Sequence, residues 1–260
     1  MPYFLLYLYY KLIITMGNFL KEIPQLKELT EKGYDTFIET GTYEGSTPLF
    51  LVEHGLFKEI HTIELSPYHY LYSTENIKRY FRNEKRNAGD IDVAIKQKLH
   101  LIPTDPTQLN LIEQGVSPLK YGNVTCYLGE SPQILSQLID TSLDTKFVVW
   151  LDAHYSAGHT WQSKDFGVCP LLEELKPLRK LHNPPIIIMD DANEFGLDRK
   201  NPTLNGTWRD YQEHTTTGYP NLSQVFSAVK EIDESYEMDL CGDWDNDNTK
   251  IIFTPKKIRY

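Results

Sequence analysis

Several motifs that mark well-known site classes are missing from this chain of 260 residues. Its three cysteines, Cys126, Cys169 and Cys241, lie far apart and form no CxxC pair, so neither a zinc site nor a disulfide framework is indicated. The sequence has no Gly-x-Ser-x-Gly elbow for a nucleophilic serine and no His-Glu-x-x-His zinc motif. It also has no Gly-Lys-Ser/Thr phosphate loop. These absences exclude the commonest serine hydrolase, zinc protease and triphosphatase patterns.

Basic residues and long apolar runs are also scarce. The 26 Lys and Arg residues face 36 Asp and Glu residues, and the net charge of −10 argues against nucleic acid as a partner. The apolar stretch 1–16 is shorter than the roughly 20 residues of a spanning helix, and Lys11 interrupts it. It has no basic n-region and no cleavage site of small residues. We therefore expect no stable membrane span and a cytoplasmic protein, with membrane association of residues 1–16 as the alternative.

Short apolar runs alternate with helical patterns along the chain, which is typical of an α/β domain. The predicted strands are Thr36–Thr40, Glu59–Leu65, Val124–Leu128, Phe147–Leu151, Ile186–Met189, Tyr236–Cys241 and Lys250–Thr254. Their nearly continuous apolar character predicts a mostly parallel sheet with helices on both faces. We expect residues 1–32 to form an N-terminal apolar segment and helix, followed by one domain over residues 33–260. This domain contains an insertion at about 82–120 and a lid-like polar loop at about 193–219.

The turn after the first predicted strand carries the strongest functional signal. Acidic Glu39 is followed by Gly41 and Gly45, and Pro48 then opens a helix. A strand, a glycine turn and a helix N-terminus together form a cradle for a nucleotide cofactor. The dinucleotide fingerprint has a third glycine between these two, where this chain has Tyr43. A βα turn without any ligand is the alternative interpretation.

A second acidic residue supports a cofactor site. Glu64 ends the second predicted strand and lies 23 residues after Gly41. In nucleotide-binding α/β folds an acidic residue at this place hydrogen-bonds the ribose hydroxyls. The spacing is that of one βαβ unit.

These motifs, taken in order, resemble a known family. Glu39-x-Gly41-x-x-x-Gly45-x-Thr47, Ile63-Glu64-Leu65-Ser66 and Gly129-Glu130-Ser131 resemble the S-adenosylmethionine site of class I methyltransferases. Trp150–Ser156, Cys169–Leu175 and Ile187–Ala192 are similar to a subgroup associated with tailoring of glycans or small molecules. The resemblance covers roughly residues 36–255 without the insertion. It implies a Rossmann-like, doubly wound and mostly parallel seven-stranded sheet with the last strand antiparallel.

The resemblance also implies S-adenosylmethionine as the cofactor. Glu39 would lie near its methionine amino group, Glu64 would hold the ribose hydroxyls, and Glu130 and Ser131 would border the adenine. Tyr43 in place of a glycine, and Glu130 where a shorter Asp is common, would change the shape of the pocket. The expected cofactor-binding residues are Glu39, Thr40, Gly41, Thr42, Tyr43, Gly45, Ser46, Thr47, Glu64, Leu65, Glu130 and Ser131.

Ionisable residues follow two further predicted strands. Asp152 and His154 come after Phe147–Leu151, and Asp190 and Asp191 follow the next strand. Because ligands bind at the carboxyl ends of parallel strands, we expect these groups to converge beside the cofactor. His154 suits a general base and Asp152 a second catalytic residue. Some metal-dependent sugar O-methyltransferases place one Asp and a downstream acidic pair similarly.

Asp152, Asp190 and Asp191 are therefore the candidate ligands for Mg²⁺, which would orient the acceptor and acidify its hydroxyl. The alternative is a set of carboxylates that contact substrate or cap loops without a metal. Overall we predict methyl transfer to a hydroxyl of a sugar, glycan or other small molecule, and homo-oligomerisation stays open. An NAD-type oxidoreductase and a non-catalytic cofactor-binding scaffold are the rival interpretations.

Overall fold

The computed structural model describes residues 26–84, 88–98, 118–154, 161–195, 218–243 and 248–256. The strands are β1 (Thr36–Thr40), β2 (Glu59–Glu64), β3 (Leu119–Tyr121), β4 (Val124–Leu128), β5 (Phe147–Leu151), β6 (Ile186–Met189), β7 (Tyr236–Asp243) and β8 (Asn248–Pro255). The helices are α1 (residues 26–31), α2 (Ser46–Glu53), α3 (Pro67–Phe81), α4 (Ala88–Lys98), α5 (Ser131–Asp140), α6 (Leu171–Leu178) and α7 (Leu222–Lys230), with a 3₁₀ turn at Ala192–Phe195. The apolar segment 1–25 lies outside the described residues, as do most of the predicted insertion and the predicted lid-like loop.

All eight strands form one mixed sheet with the order β3-β4-β2-β1-β5-β6-β8-β7. The central strands β4, β2, β1, β5 and β6 are parallel to one another, and β8 is antiparallel to both β6 and β7. The predicted fold class is confirmed: seven strands form a doubly wound sheet in which the last strand is antiparallel. The eighth strand, β3, adds an antiparallel edge next to β4. It escaped prediction because it has only 3 residues and two of them are exposed.

Neighbouring residues of each strand point to opposite faces of the sheet, so each face has its own core. Phe37 packs on one face with buried side chains of α2, α3 and α4. Ile38, the next residue, packs on the other face with α5, α6 and α7. Helix α4 belongs to the predicted insertion, and its buried Ile91 and Ile95 join the first core. The helices therefore cover both faces, as the apolar strands indicated.

The chain reverses its winding direction at β1. It leaves β1 toward β2 on one side and later returns to place β5 on the other side. In sheets of this type the crevice outside the carboxyl ends of the two strands at the reversal is the usual ligand site. Thr40 and Leu151 are in register at this point, so the residues that follow them are neighbours. Among the helices in the described ranges, none has both the length and the apolar character needed to cross a membrane.

Candidate cofactor and acceptor site

The predicted glycine turn lies at the reversal point and packs against the end of β5. Both glycines have positive φ angles of 80°. A Cβ atom on Gly41 would lie 2.4 Å from the carbonyl oxygen of Asp152, and one on Gly45 would lie 3.1 Å from the Cβ of Ser73. Glycine is therefore required at both positions by the packing of the chain on itself.

Four amide groups of this turn are already hydrogen-bonded within the chain. Gly41 and Thr42 donate to the carbonyl oxygen of Ile63 at 2.9 and 3.3 Å, and Gly45 donates to that of Thr42 at 2.9 Å. The amide of Tyr43 donates to a glutamate carboxylate. Phosphate sites at such turns depend on unpaired N–H groups. These four amide groups are consequently unavailable to a pyrophosphate.

Tyr43 is the residue that replaces the middle glycine of the dinucleotide fingerprint. Its φ angle is 50°, in the left-handed region that non-glycine residues seldom adopt. Its ring packs on His69 of α3 with 4.4 Å between ring centroids, and 54% of the residue is exposed. The side chain thus lies against α3. The remaining expected residues of the turn, Ser46 and Thr47, form the first positions of α2.

Glu39 lies beneath the turn and is only 2% exposed. Its carboxyl group accepts a hydrogen bond from the hydroxyl of Thr62 at 2.8 Å, and the Thr62 hydroxyl is also bonded to that of Thr42. Burial raises the pKa of Glu39 to about 8, although the hydroxyls of Thr62 and Thr47 lower it. The carboxyl group is therefore mostly neutral at pH 7 and would ionise beside a cationic ligand.

Glu64 ends β2 at the other side of the turn, and Leu65 follows it. One carboxylate oxygen accepts from the amide of Tyr43 at 2.8 Å, and the other accepts from the amide of Ser66 at 2.7 Å. Burial raises the pKa of Glu64 to about 7, whereas these amide hydrogen bonds lower it. Each oxygen keeps a further lone pair, so the group can still accept from ligand hydroxyls.

Glu130 and Ser131 stand where α5 begins. Glu130 occupies the N-cap position, but its side chain makes no capping hydrogen bond. Burial raises its pKa, and the hydroxyl of Ser163 lowers it. Ser131 is 6% exposed. The Glu130 carboxyl group is therefore half-buried at the helix start, where it contacts Ser163 and does not serve as the cap.

The side of the crevice at the end of β5 contains a histidine between two carboxylates. His154 Nδ1 lies 3.3 Å from Asp152 Oδ1, and His154 Nε2 lies 3.1 Å from Asp191 Oδ2. Burial lowers the pKa of His154, but the hydrogen bond and charge of Asp152 and the charge of Asp191 raise it to about 9. Burial raises the pKa of Asp152 to about 7. The histidine is accordingly an imidazolium at neutral pH in this arrangement.

The potential metal ligands fall into two groups. One ligand atom each from Asp152, His154 and Asp191 lie within 4.8 Å of one another. Asp190 Oδ1 instead accepts from the amide of Asp191 at 2.9 Å and lies 3.7 Å from Lys250 Nζ. Among the four ionisable residues predicted to converge, Asp190 is therefore the one that faces a buried cation.

Two functional candidates were not found from the sequence. Lys250 is a buried cation in β8, 5.4 Å from the ring centroid of Trp150. Glu174 is a 1% exposed carboxyl group on α6, facing the ends of β1 and α5. The signal in each case was a charged residue within an otherwise apolar strand or helix face.

No protein-family model matches the chain, and no curated protein does. Solved structures similar to it include the methyltransferase PaMTH1 of Podospora anserina with bound SAH (16% identity, 85% of this chain and 72% of that one, TM-score 0.41). They also include a putative O-methyltransferase from Klebsiella pneumoniae (14% identity, 92% of this chain and 78% of that one, TM-score 0.43). A third is the O-methyltransferase TomG of Streptomyces achromogenes, involved in tomaymycin synthesis, in complex with SAM (15% identity, 89% of this chain and 79% of that one, TM-score 0.43).

These TM-scores lie below 0.5, so the matches carry no argument about activity or site residues. The strand order and the strand-end motifs described above carry the assignment of the fold. In both respects the chain resembles the class I S-adenosylmethionine-dependent methyltransferases.

Proposed function

We propose that the protein transfers the methyl group of S-adenosylmethionine to a hydroxyl group of a sugar, glycan or other small molecule. One observation carries the proposal: two buried carboxyl groups, Glu39 and Glu64, flank a turn in which four amide groups are already hydrogen-bonded. Such a cradle suits a ligand that brings hydrogen-bond donors and positive charge. A pyrophosphate instead brings negative charge and hydrogen-bond acceptors to these carboxyl groups. S-adenosylmethionine supplies an ammonium group for Glu39 and a ribose diol for Glu64, whereas NAD has ribose diols but no ammonium group.

The residues around the turn fit this cofactor. Glu39 would receive the ammonium group, and Glu64 would accept from the ribose hydroxyls. Glu130 and Ser131 would border the adenine at the start of α5. The turn residues Thr40, Gly41, Thr42, Tyr43, Gly45, Ser46 and Thr47, together with Leu65, would line the remaining surface. When bound, the cofactor supplies an electrophilic methyl group on a sulfonium centre.

His154 is the proposed general base for the acceptor hydroxyl. It lies at the end of β5, next to the strand that carries the cofactor turn. As an imidazolium it cannot accept a proton, so it must first release the Nε2 proton, which points to Asp191. Asp152 orients the ring through Nδ1, and the freed Nε2 would then take the proton of the acceptor hydroxyl.

Mg²⁺ is part of the proposal, with Asp152 and Asp191 as its first ligands, and Asp190 would have to turn away from Lys250 to become the third. These carboxylates offer the oxygen atoms that Mg²⁺ prefers, and repulsion among them favours a cation. The cluster of Asp152, His154 and Asp191 supports a cation at this place, since their ligand atoms already lie within 4.8 Å. A bound ion would supply positive charge that orients and acidifies an acceptor hydroxyl.

Calorimetry and a methyl-transfer assay test the proposal. We expect S-adenosylmethionine, and not NAD, to bind the purified chain. Labelled methyl groups should reach a hydroxylated acceptor from a panel of sugars and phenols, with a loss after EDTA treatment that Mg²⁺ restores. Binding of NAD alone would favour the oxidoreductase, and binding of neither at millimolar concentration would favour the scaffold. Unchanged activity after EDTA treatment would show that the reaction requires no metal ion.

The histidine is tested separately. The variant His154→Gln keeps the size of the side chain but has no basic nitrogen. We expect it to lower methyl transfer about 100-fold or more, as for loss of a general base, with an unchanged affinity for S-adenosylmethionine. Normal turnover of this variant would show that the base is another group.

A further inference from the structure

Helix α6 carries a carboxyl group in the middle of its apolar face. Leu171, Leu175 and Leu178 follow helical spacing, and all are at most 3% exposed. Glu174 lies on the same face and is 1% exposed. Its neighbour Glu173 lies on the outer side, where it pairs with Lys176. A leucine would be the expected residue at position 174.

The carboxyl group of Glu174 is poorly satisfied in this environment. Its two oxygens make no hydrogen bond of regular geometry with the residues that the structure describes. The hydroxyls of Thr40 and Ser131 lie close enough to lower its pKa, while burial raises that pKa to about 7. A buried carboxyl group without a firm partner destabilises the fold, since it has lost its hydration. Stability alone therefore does not explain its presence.

The two neighbouring hydroxyls belong to the two halves of the cofactor site. Thr40 ends β1, immediately before the glycine turn, and its Oγ1 accepts from the amide of Asp152 at 3.2 Å. The hydroxyl hydrogen of Thr40 therefore points to another acceptor. Ser131 begins α5, next to Glu130. Glu174 thus stands between the end of β1 and the start of α5.

We propose that Glu174 is a positioning residue of the cofactor site, which accepts hydrogen bonds from Thr40 and Ser131 and fixes the spacing of β1 and α5. This inference rests on the proposed function, because its readout is the binding of S-adenosylmethionine. The residue acts through the two hydroxyls and touches neither the cofactor nor the acceptor. Its contribution to stability and its contribution to binding have opposite signs, and a purely structural residue would not show this.

Two substitutions separate these contributions. Glu174→Leu completes the apolar face and removes the acceptor, and Glu174→Gln keeps a carbonyl acceptor without the charge. We expect Glu174→Leu to raise the unfolding midpoint by at least about 2 °C in the absence of ligand. We also expect it to weaken the binding of S-adenosylmethionine about tenfold, because the hydroxyls of Thr40 and Ser131 both lose their acceptor. Glu174→Gln should stay within about threefold of the wild-type affinity, because it retains one acceptor.

The matched controls are Glu173→Leu and Glu173→Gln, one residue away on the solvent side of the same helix. They should leave the affinity unchanged within error, and they should lower the unfolding midpoint slightly, if at all, because each loses the exposed ion pair with Lys176. Calorimetric titration and thermal unfolding are measured on the full chain for all five proteins.

A lower midpoint or failure to fold in Glu174→Leu would overturn the inference, because the carboxyl group would then be stabilising. Wild-type affinity in Glu174→Leu would overturn it as well and leave the proposed function intact. A wild-type chain that binds no S-adenosylmethionine would instead refute the proposed function, and this inference with it.

Discussion

Glu39 gives the sharpest prediction, because the binding of the cofactor should expel its proton. Burial raises the pKa of this carboxyl group from 4.5 to about 8. At pH 7 most of the Glu39 carboxyl groups are therefore protonated in the free protein. An ammonium group placed beside Glu39 favours the ionised form and lowers its pKa. Binding of S-adenosylmethionine at pH 7 should consequently release a large fraction of one proton from this residue.

Calorimetry in two buffers measures this release. The observed binding enthalpy depends on the ionisation enthalpy of the buffer, and the slope between phosphate and Tris gives the number of protons released. Glu64, with a pKa of about 7, also releases a fraction of a proton when ribose hydroxyls donate to it. The difference in proton release between the wild type and Glu39→Gln isolates the contribution of Glu39. We expect this difference to be a large fraction of one proton at pH 7 and to fall as the pH rises through about 8.

The same shift makes the stability of the free protein depend on pH. A carboxyl group with a raised folded-state pKa stabilises the fold below its unfolded value of 4.5, and this contribution is lost as the pH rises through about 8. The full shift corresponds to at most about 5 kcal/mol of unfolding free energy. Glu39→Gln should therefore be more stable than the wild type at pH 9 and bind the cofactor more weakly. Equal proton release in both proteins would refute the reasoning.

Two further predictions concern the crevice. Gly41→Ala should lower the free energy of unfolding by about 2 kcal/mol or more, since a Cβ would lie 2.4 Å from the carbonyl oxygen of Asp152. Chemical denaturation measures this free energy, and a variant as stable as the wild type would contradict the described packing. Asp191→Asn removes one of the two carboxylates that flank His154, so the pKa of the imidazole should fall below its value of about 9. NMR titration of metal-free protein measures this pKa, and an unchanged value would show that the charge of Asp191 does not affect the ring.

The fold was largely predictable because its strands are buried on both faces. Segments such as Phe147–Leu151 and Ile186–Met189 are continuous apolar runs, and the observed strands have the predicted bounds. Edge strand β3 lacks such a pattern, since two of its 3 residues are exposed. The strand ends also indicated which polar residues lie close together. Thr40 and Leu151 are in register, so the residues that follow them are neighbours.

The finer chemistry of the site depends on contacts that no local pattern encodes. The sequence placed Asp190 and Asp191 together, but the left-handed backbone of Asp191, with a φ angle of 51°, sends the two carboxylates to different partners. Lys250 comes from the distant strand β8, so its approach to Asp190 has no sequence signal of its own. The two glycines of the turn were expected to admit a ligand, yet the chain's own packing already requires them.

A crystal structure of the protein with S-adenosylhomocysteine tests the central claim most directly. We predict the amino-acid tail of the ligand over Gly41, its ammonium group within hydrogen-bond distance of Glu39, and its ribose hydroxyls at Glu64. Ligand density elsewhere on the chain, or a tail that approaches the turn without contacting Glu39, would contradict the account.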